Sequence, residues 1–171
     1  MLAEVLGTLE DVRLVSFSAG DAPNAIPSSG SAIVCVPAGT AVDPASVFEA
    51  VIDRMGADED RDAVISVSKA EGQEALSRAD TADFLELVSH IPHGVIRIQG
   101  HDVVTSTNMG TVRLKDGGAV IRTKPRSSYA EEMTAVAESV TSIFKAHGFE
   151  TVLGEIFPAW AENPEGRMVR V

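Results

Sequence analysis

The sequence predicts an α+β protein, a two-layer sandwich in which helices cover one face of a mostly antiparallel sheet, ferredoxin-like or an elaboration of it. Three observations carry this expectation. Period-two alternation at 12–18, 63–68 and 103–115 is interspersed with three- and four-residue apolar spacing at 2–9, 44–55, 80–89 and 129–147, so strands and helices mix along the chain. Asp116-Gly117-Gly118 separates two alternating runs, as expected of a two-residue hairpin whose primed turn needs positive φ. Strand–helix–strand units coexist with that hairpin, and no repeat of fixed short period is present.

The elements follow in order. Leu2, Val5, Leu6 and Leu9 share a helix face, and a helix beginning at Met1 with no capping residue ahead of it reads as the tail of a longer chain. Residues 12–18 alternate as a strand, and 19–30, with two prolines and two glycines, form a loop. The nearly all-apolar run 31–36 predicts a central strand covered on both faces, with Cys35, the only cysteine, as a small buried thiol. Asp43-Pro44 opens a helix, because Asp can cap free amides and Pro has none to satisfy. Val47, Phe48, Val51, Ile52 and Met55 make its stripe and Gly56 its stop. The acidic stretch 57–62 reads as a solvated turn, and 63–68 as a third strand.

Asp80 is expected to cap a helix reaching about Ser89, with Ala82, Phe84, Leu85 and Val88 inward; 95–98 is a short strand. In 103–115 alternation runs to Asn108, is interrupted at Met109-Gly110 and resumes, giving two strands before the turn. The return strand, 119–124, ends at Pro125-Arg126-Ser127-Ser128. A guanidinium and two hydroxyls would then meet where a strand hands over to a helix, a place suited to an anion. The longest helix, 129–147, ends at Gly148; 149–156 reads as a last strand, and Phe157 to Gly166 as an extended exit.

At 171 residues the chain fits one domain. With 25 acidic and 14 basic residues its formal charge is −11, which argues against nucleic acid or an anionic membrane as partner. No apolar run approaches the ~18–20 residues of a membrane span. The amino terminus has no basic region ahead of its apolar residues, so the expected location is cytoplasmic.

Catalytic motifs are absent: no H-E-x-x-H, C-x-x-C, P-loop or nucleophile elbow occurs. His90 and His93 flank a helix end, where an imidazole can meet free carbonyls. His147 falls in a last helical turn, and His101 adjoins Asp102. These spacings predict no metal site. Arg126 stands out because a guanidinium forms two parallel, charge-assisted bonds with a carboxylate.

Five patterns in order carry a resemblance: S-F-x-x-G-x-x-x-N-A-I-P at 16–27, I-P-H-G-V at 91–95, V-x-T-S-x-N-x-G at 103–110, R-S-S at 126–128 and F-P-A-W-x-x-N-P at 157–164. Together they resemble the aminoacyl-histidine dipeptidases, also called Xaa-His dipeptidases or peptidase D, a branch of the di-zinc exopeptidases. The resemblance implies that 1–164 is the lid or dimerisation domain and 165–171 an exit toward a catalytic domain outside this chain. That catalytic domain would hold two zinc ions and perform metal-assisted hydrolysis. The family's H-x-D motif, bridging aspartate and paired glutamates have no counterpart here, so no cofactor and no catalytic residue is expected in this chain, which alone would be inactive.

What carries over is substrate contact: Arg126 through the terminal carboxylate of a carnosine-like Xaa-His dipeptide, with Asn24, and more weakly Asn108 and Ser127. The dipeptide would be shared with the catalytic domain, and the implied assembly is a homodimer. The competing expectation is a stand-alone ferredoxin-like module for small-anion binding or dimerisation.

Overall fold

The computed structural model describes residues 1–40, 43–55, 62–71, 74–154 and 158–159. Its elements are α1 (Leu2–Gly7), β1 (Arg13–Ala19), β2 (Gly30–Cys35), α2 (Pro44–Met55), α3 (Arg78–His90), β3 (Gly94–Gln99), β4 (Asp102–Lys115), β5 (Gly118–Ser127) and α4 (Ala130–Ala146). All strand pairs are antiparallel, in the order β2-β1-β4-β3, with β5 also paired to β4. The expected two-layer α+β sandwich is the observed architecture.

β4 organises the sheet. β5 follows it along its whole length, from Thr105 opposite Ser127 to Lys115 opposite Gly118. β3 pairs with residues 102–107 and β1 with 112–114, leaving 108–111 between their ends. The two runs expected on either side of Met109-Gly110 are therefore one 14-residue strand with a register shift between Met109 and Thr111. The interruption marks a bulge, where one extra residue breaks the alternation without ending the strand. At the β4–β5 turn Asp116 has φ 52° and Gly117 φ 74°, the two positive angles that a primed hairpin requires.

The helices lie on one face. Leu14, Phe17, Val112 and Leu114 of the sheet pack with Ala3 and Leu6 of α1 and with Phe84, Leu85 and Val88 of α3. The rings of Phe17 and Phe84 meet edge-on at 5.6 Å. A second cluster joins Leu87, Ile91, Val140 and Phe144 to Met109 and Ile121 beneath α4. Phe48, Val51 and Ile52 of α2 bury against Val5 of α1. Each such aliphatic or aromatic side chain contributes about 1.5–3 kcal/mol on burial. Asp43 caps α2 as expected. Its carboxylate accepts from the Ser46 hydroxyl and the Ala45 amide, and these bonds, the former larger, hold its pKa below the ordinary 3.8.

Several expectations are corrected. β2 is an edge strand, not a central one; its apolar run is only half-buried because β1 covers one edge alone, and Cys35 is half-buried with it. Residues 63–68 form no strand: Val64 and Val67 are 91% and 70% exposed, and among the described residues no sheet edge pairs with their alternation.

The cap of α3 lies three residues before the expected one. Ser77 accepts from the Asp80 amide at 3.0 Å, and Asp80 fills the third helical position, as in a capping box. Ala82 is exposed, while Thr81 is buried and accepts from the Leu14 amide at 3.0 Å. Residues 149–154 form no strand either. The Phe149 amide donates to the Phe144 carbonyl at 2.9 Å and the two rings meet at 6.1 Å with a tilt of 56°, so Phe149 closes α4 after Gly148. Gly56, most of the acidic stretch and the exit from Trp160 onward lie outside the described residues.

Candidate functional site on the open face of the sheet

Alternation along β4 and β5 sorts their residues onto two faces. Thr105, Thr107, Val112 and Leu114 point toward the helices, with Ser127, Pro125, Ile121 and Ala119 opposite them. Ser106, Asn108, Thr111 and Arg113 point to the open face, opposite Arg126, Lys124, Arg122 and Val120. β5 thus sends three cations, Arg122, Lys124 and Arg126, out along one line of a chain whose net charge is −11. Arg126 is exposed, and its guanidinium makes no hydrogen bond or ion pair among the described residues.

β5 runs through Ser127, so Arg126 is a strand residue and not part of a loop corner. This corrects the expected gathering of a guanidinium with two hydroxyls. Adjacent strand residues face opposite ways, and the Ser127 hydroxyl is on the helix side. There it meets Thr105 Oγ1 at 2.8 Å and accepts from the Tyr129 amide at 3.0 Å. The first turn of α4 carries Glu131 and Glu132, whose charge opposes an anion at that helix start.

Asn108, by contrast, shares the open face with Arg126. It is opposite Lys124, hence diagonal to Arg126, which places the two at roughly 7–8 Å by ladder geometry. Asn108 Oδ1 is buried without a hydrogen-bond partner among the described residues, as are Thr111 Oγ1 and, on the other face, Thr107 Oγ1. A buried carbonyl-type oxygen with no donor is unfavourable, and among the described residues nothing donates to Asn108 Oδ1.

Asn24 comes from the loop between β1 and β2, and two glycines seat that loop on the bulge. A Cβ on Gly110 would lie 2.3 Å from the Pro23 carbonyl oxygen. One on Gly20, where φ is 69°, would lie 2.0 Å from the Gly110 carbonyl oxygen. Only backbone without side chains can approach so closely. Arg113 ties the loop's start by donating to the carbonyls of Ala19 and Gly20. Asn24 itself is exposed beside Pro23, on the loop that these contacts hold against the bulge of β4. Nothing in the local sequence marks the Gly20–Gly110 contact, because its partners are far apart along the chain.

The histidines do not converge. His93 Nδ1 lies 3.0 Å from the Ile91 carbonyl, His147 bridges to Asp83 on α3 at 2.7 Å, and His90 is 4.0 Å from Glu86. Among the described residues no group of three or more His, Cys, Asp or Glu side chains could hold a metal ion, so they do not fit a zinc centre. No helix among them is long and apolar enough to cross a membrane. Two cavities, of about 550 Å³ between α1 and α3 and about 810 Å³ beside the β4–β5 turn, are lined by neither Arg126 nor Asn24 nor Asn108. Among the described residues no helix packs on the cationic face.

No known protein-family description matches the chain. It is similar to the cytosol non-specific dipeptidase of Escherichia coli (strain K12), with 28% identity over 174 residues that cover 94% of this chain and 35% of that protein. Its fold is similar to the crystal structure of aminoacylhistidine dipeptidase from Vibrio alginolyticus, with a TM-score of 0.82, 20% identity and coverage of 97% of this chain and 37% of that one. The chain spans about a third of the length of each. Along nearly all of its length the chain is similar in sequence to part of one dipeptidase and in fold to part of another.

Proposed function

We propose that this domain is the lid of a dipeptidase that cleaves Xaa-His dipeptides, and that its open sheet face positions substrate for a catalytic centre on another domain. The observation that carries the reading is Arg126: exposed, without a partner among the described residues, and diagonal to the unpartnered Asn108 oxygen on the same face. A dipeptide's terminal carboxylate matches the guanidinium fork. Asn108 shares that face, and Asn24 is carried on the exposed loop between β1 and β2. Ser127 supports the site from behind through Thr105 and Tyr129. Two zinc ions would belong to the catalytic domain and supply the activated water there; the described residues of this chain contribute orientation, where small misplacements cost rate.

The test is hydrolysis of alanyl-histidine by the natural full-length protein. Turnover that stops on chelation and returns with zinc is expected. A full-length protein with no dipeptidase activity after zinc loading defeats the reading and favours a small-anion-binding module.

The same reading includes a homodimer. β3 pairs with β4 alone among the described residues, and Val95, Ile96 and Ile98 are 56%, 46% and 60% exposed along it. An exposed apolar edge strand favours pairing with another copy. Ile98→Lys is expected to shift the sedimentation mass from dimer to monomer. A wild-type monomer, or a variant that stays dimeric, removes β3 as the contact.

A further inference from the structure

Directly behind Arg126, on the helix side of the sheet, lies a polar cluster unlike the rest of that interface. Elsewhere α3 and α4 meet the strands through Leu87, Ile91, Val140 and Phe144. At the rung of Thr105 and Ser127 the contact is made by Glu132 of α4, which accepts from Thr105 Oγ1 with one carboxylate oxygen and pairs with Arg97 of β3 through the other. Thr105 is 2% exposed and opposite both Arg97 and Ser127 in the ladders.

The cluster closes around residues 127–129. Ser127 Oγ meets Thr105 Oγ1 and accepts from the Tyr129 amide, and the Ser128 amide donates to the Val104 carbonyl at 2.8 Å. Arg97 lies over the Tyr129 ring at 4.9 Å and donates to Gln99, which also accepts from the Tyr129 hydroxyl.

Stability alone does not call for a charged pair here, since well-packed apolar residues of similar volume often hold a helix on a sheet equally well. What the pair adds is direction. Hydrogen bonds fix the backbone after residue 126 at each step, and the strand's alternation converts that backbone setting into the direction of the Arg126 side chain on the opposite face. We propose that Glu132 is a positioning residue. By holding Thr105 and Arg97 it sets the end of β5 and so aims the Arg126 guanidinium at the substrate carboxylate. This rests on the reading of Arg126 given above.

The experiment compares alanyl-histidine with its C-terminal amide in the natural full-length protein. For Glu132→Ala the expected result is a KM raised about tenfold on the free acid, with kcat within about twofold and the amide unaffected, as for a displaced rather than missing ligand. Thr105→Val, which keeps shape but loses the hydroxyl, should reproduce this loss, and Thr105→Ser should restore the wild-type value. If Glu132→Ala does not fold, the Thr105 pair decides the question. Arg126→Ala serves as the reference. If it leaves the preference for the free acid unchanged, the carboxylate reading fails and the positioning role falls with it. If it abolishes that preference while Glu132→Ala and Thr105→Val retain it, only the positioning role is overturned.

Discussion

Arg126→Ala in the full-length protein is expected to lower kcat/KM for dipeptides with a free carboxylate by roughly ten- to a hundredfold, the range for losing hydrogen bonds to a charged group. The loss should appear mainly in KM, because an interaction with the terminal carboxylate is present in the ground state and the transition state alike. The dipeptide amide, which has no such charge, should be hydrolysed equally by both proteins. Arg126→Lys should recover only part of the loss, since an ammonium keeps the charge but cannot form the two parallel bonds. Stability should hardly change, because the side chain is exposed and makes no ion pair among the described residues. Equal losses on acid and amide would show that Arg126 does not read the carboxylate.

Gly110→Ala should have the largest structural effect. The added methyl would come within 2.3, 2.4 and 2.6 Å of the carbonyl oxygen, carbonyl carbon and Cα of Pro23, all backbone atoms that cannot turn aside as a side chain would. Relief requires the loop to lift from the bulge or β4 to bend, at a cost of about 1–3 kcal/mol as for other overpacked sites. Urea denaturation should show a lower midpoint with an unchanged slope. Proteolysis should become faster within residues 21–29, and activity should fall because Asn24 is displaced. Gly7→Ala is the control: nothing lies within 4 Å of its added methyl, and Ala is the better helix former. An unchanged midpoint for Gly110→Ala would mean that the loop is not held by this contact.

What the sequence revealed depended on how local each determinant is. The Asp116-Gly117 turn was legible because positive φ at two successive residues is a local demand that few sequences meet. The capping of α2 by Asp43 was legible for the same reason. Two competing signals in one stretch produced errors. Ser77 and Asp80 are both capping types three residues apart, and the apolar spacing alone could not show that Asp80 occupies the third helical position. The alternation at 63–68 is a true strand pattern, yet a strand also needs an edge to pair with, and pairing is decided at long range. The apolar run of β2 suggested burial on both sides, but burial depends on place in the sheet.

For the site, Arg126 and Asn108 could be named as residue types suited to substrate, but their common face could not. That face depends on β5 continuing through Ser127 in unbroken register with β4, Ser106 opposite Arg126 and Asn108 opposite Lys124. Glu132 and Arg97 carried no signal at all, since their meeting requires α4 to cross β3 and β4 in space.

Because β3, β4 and β5 are consecutive and close through short turns, they can pair early, with little conformational entropy lost per contact. β1 must instead reach β4 from roughly a hundred residues away to place Phe17 beside Leu114. The order of assembly therefore favours a meander from Gly94 to Ser127 that α4 locks first and the N-terminal third joins later. Arg126 and Asn108 are then in register before Asn24 arrives on its loop. A mutation that slows docking of β1 would leave a folding intermediate carrying half of the proposed substrate surface already formed.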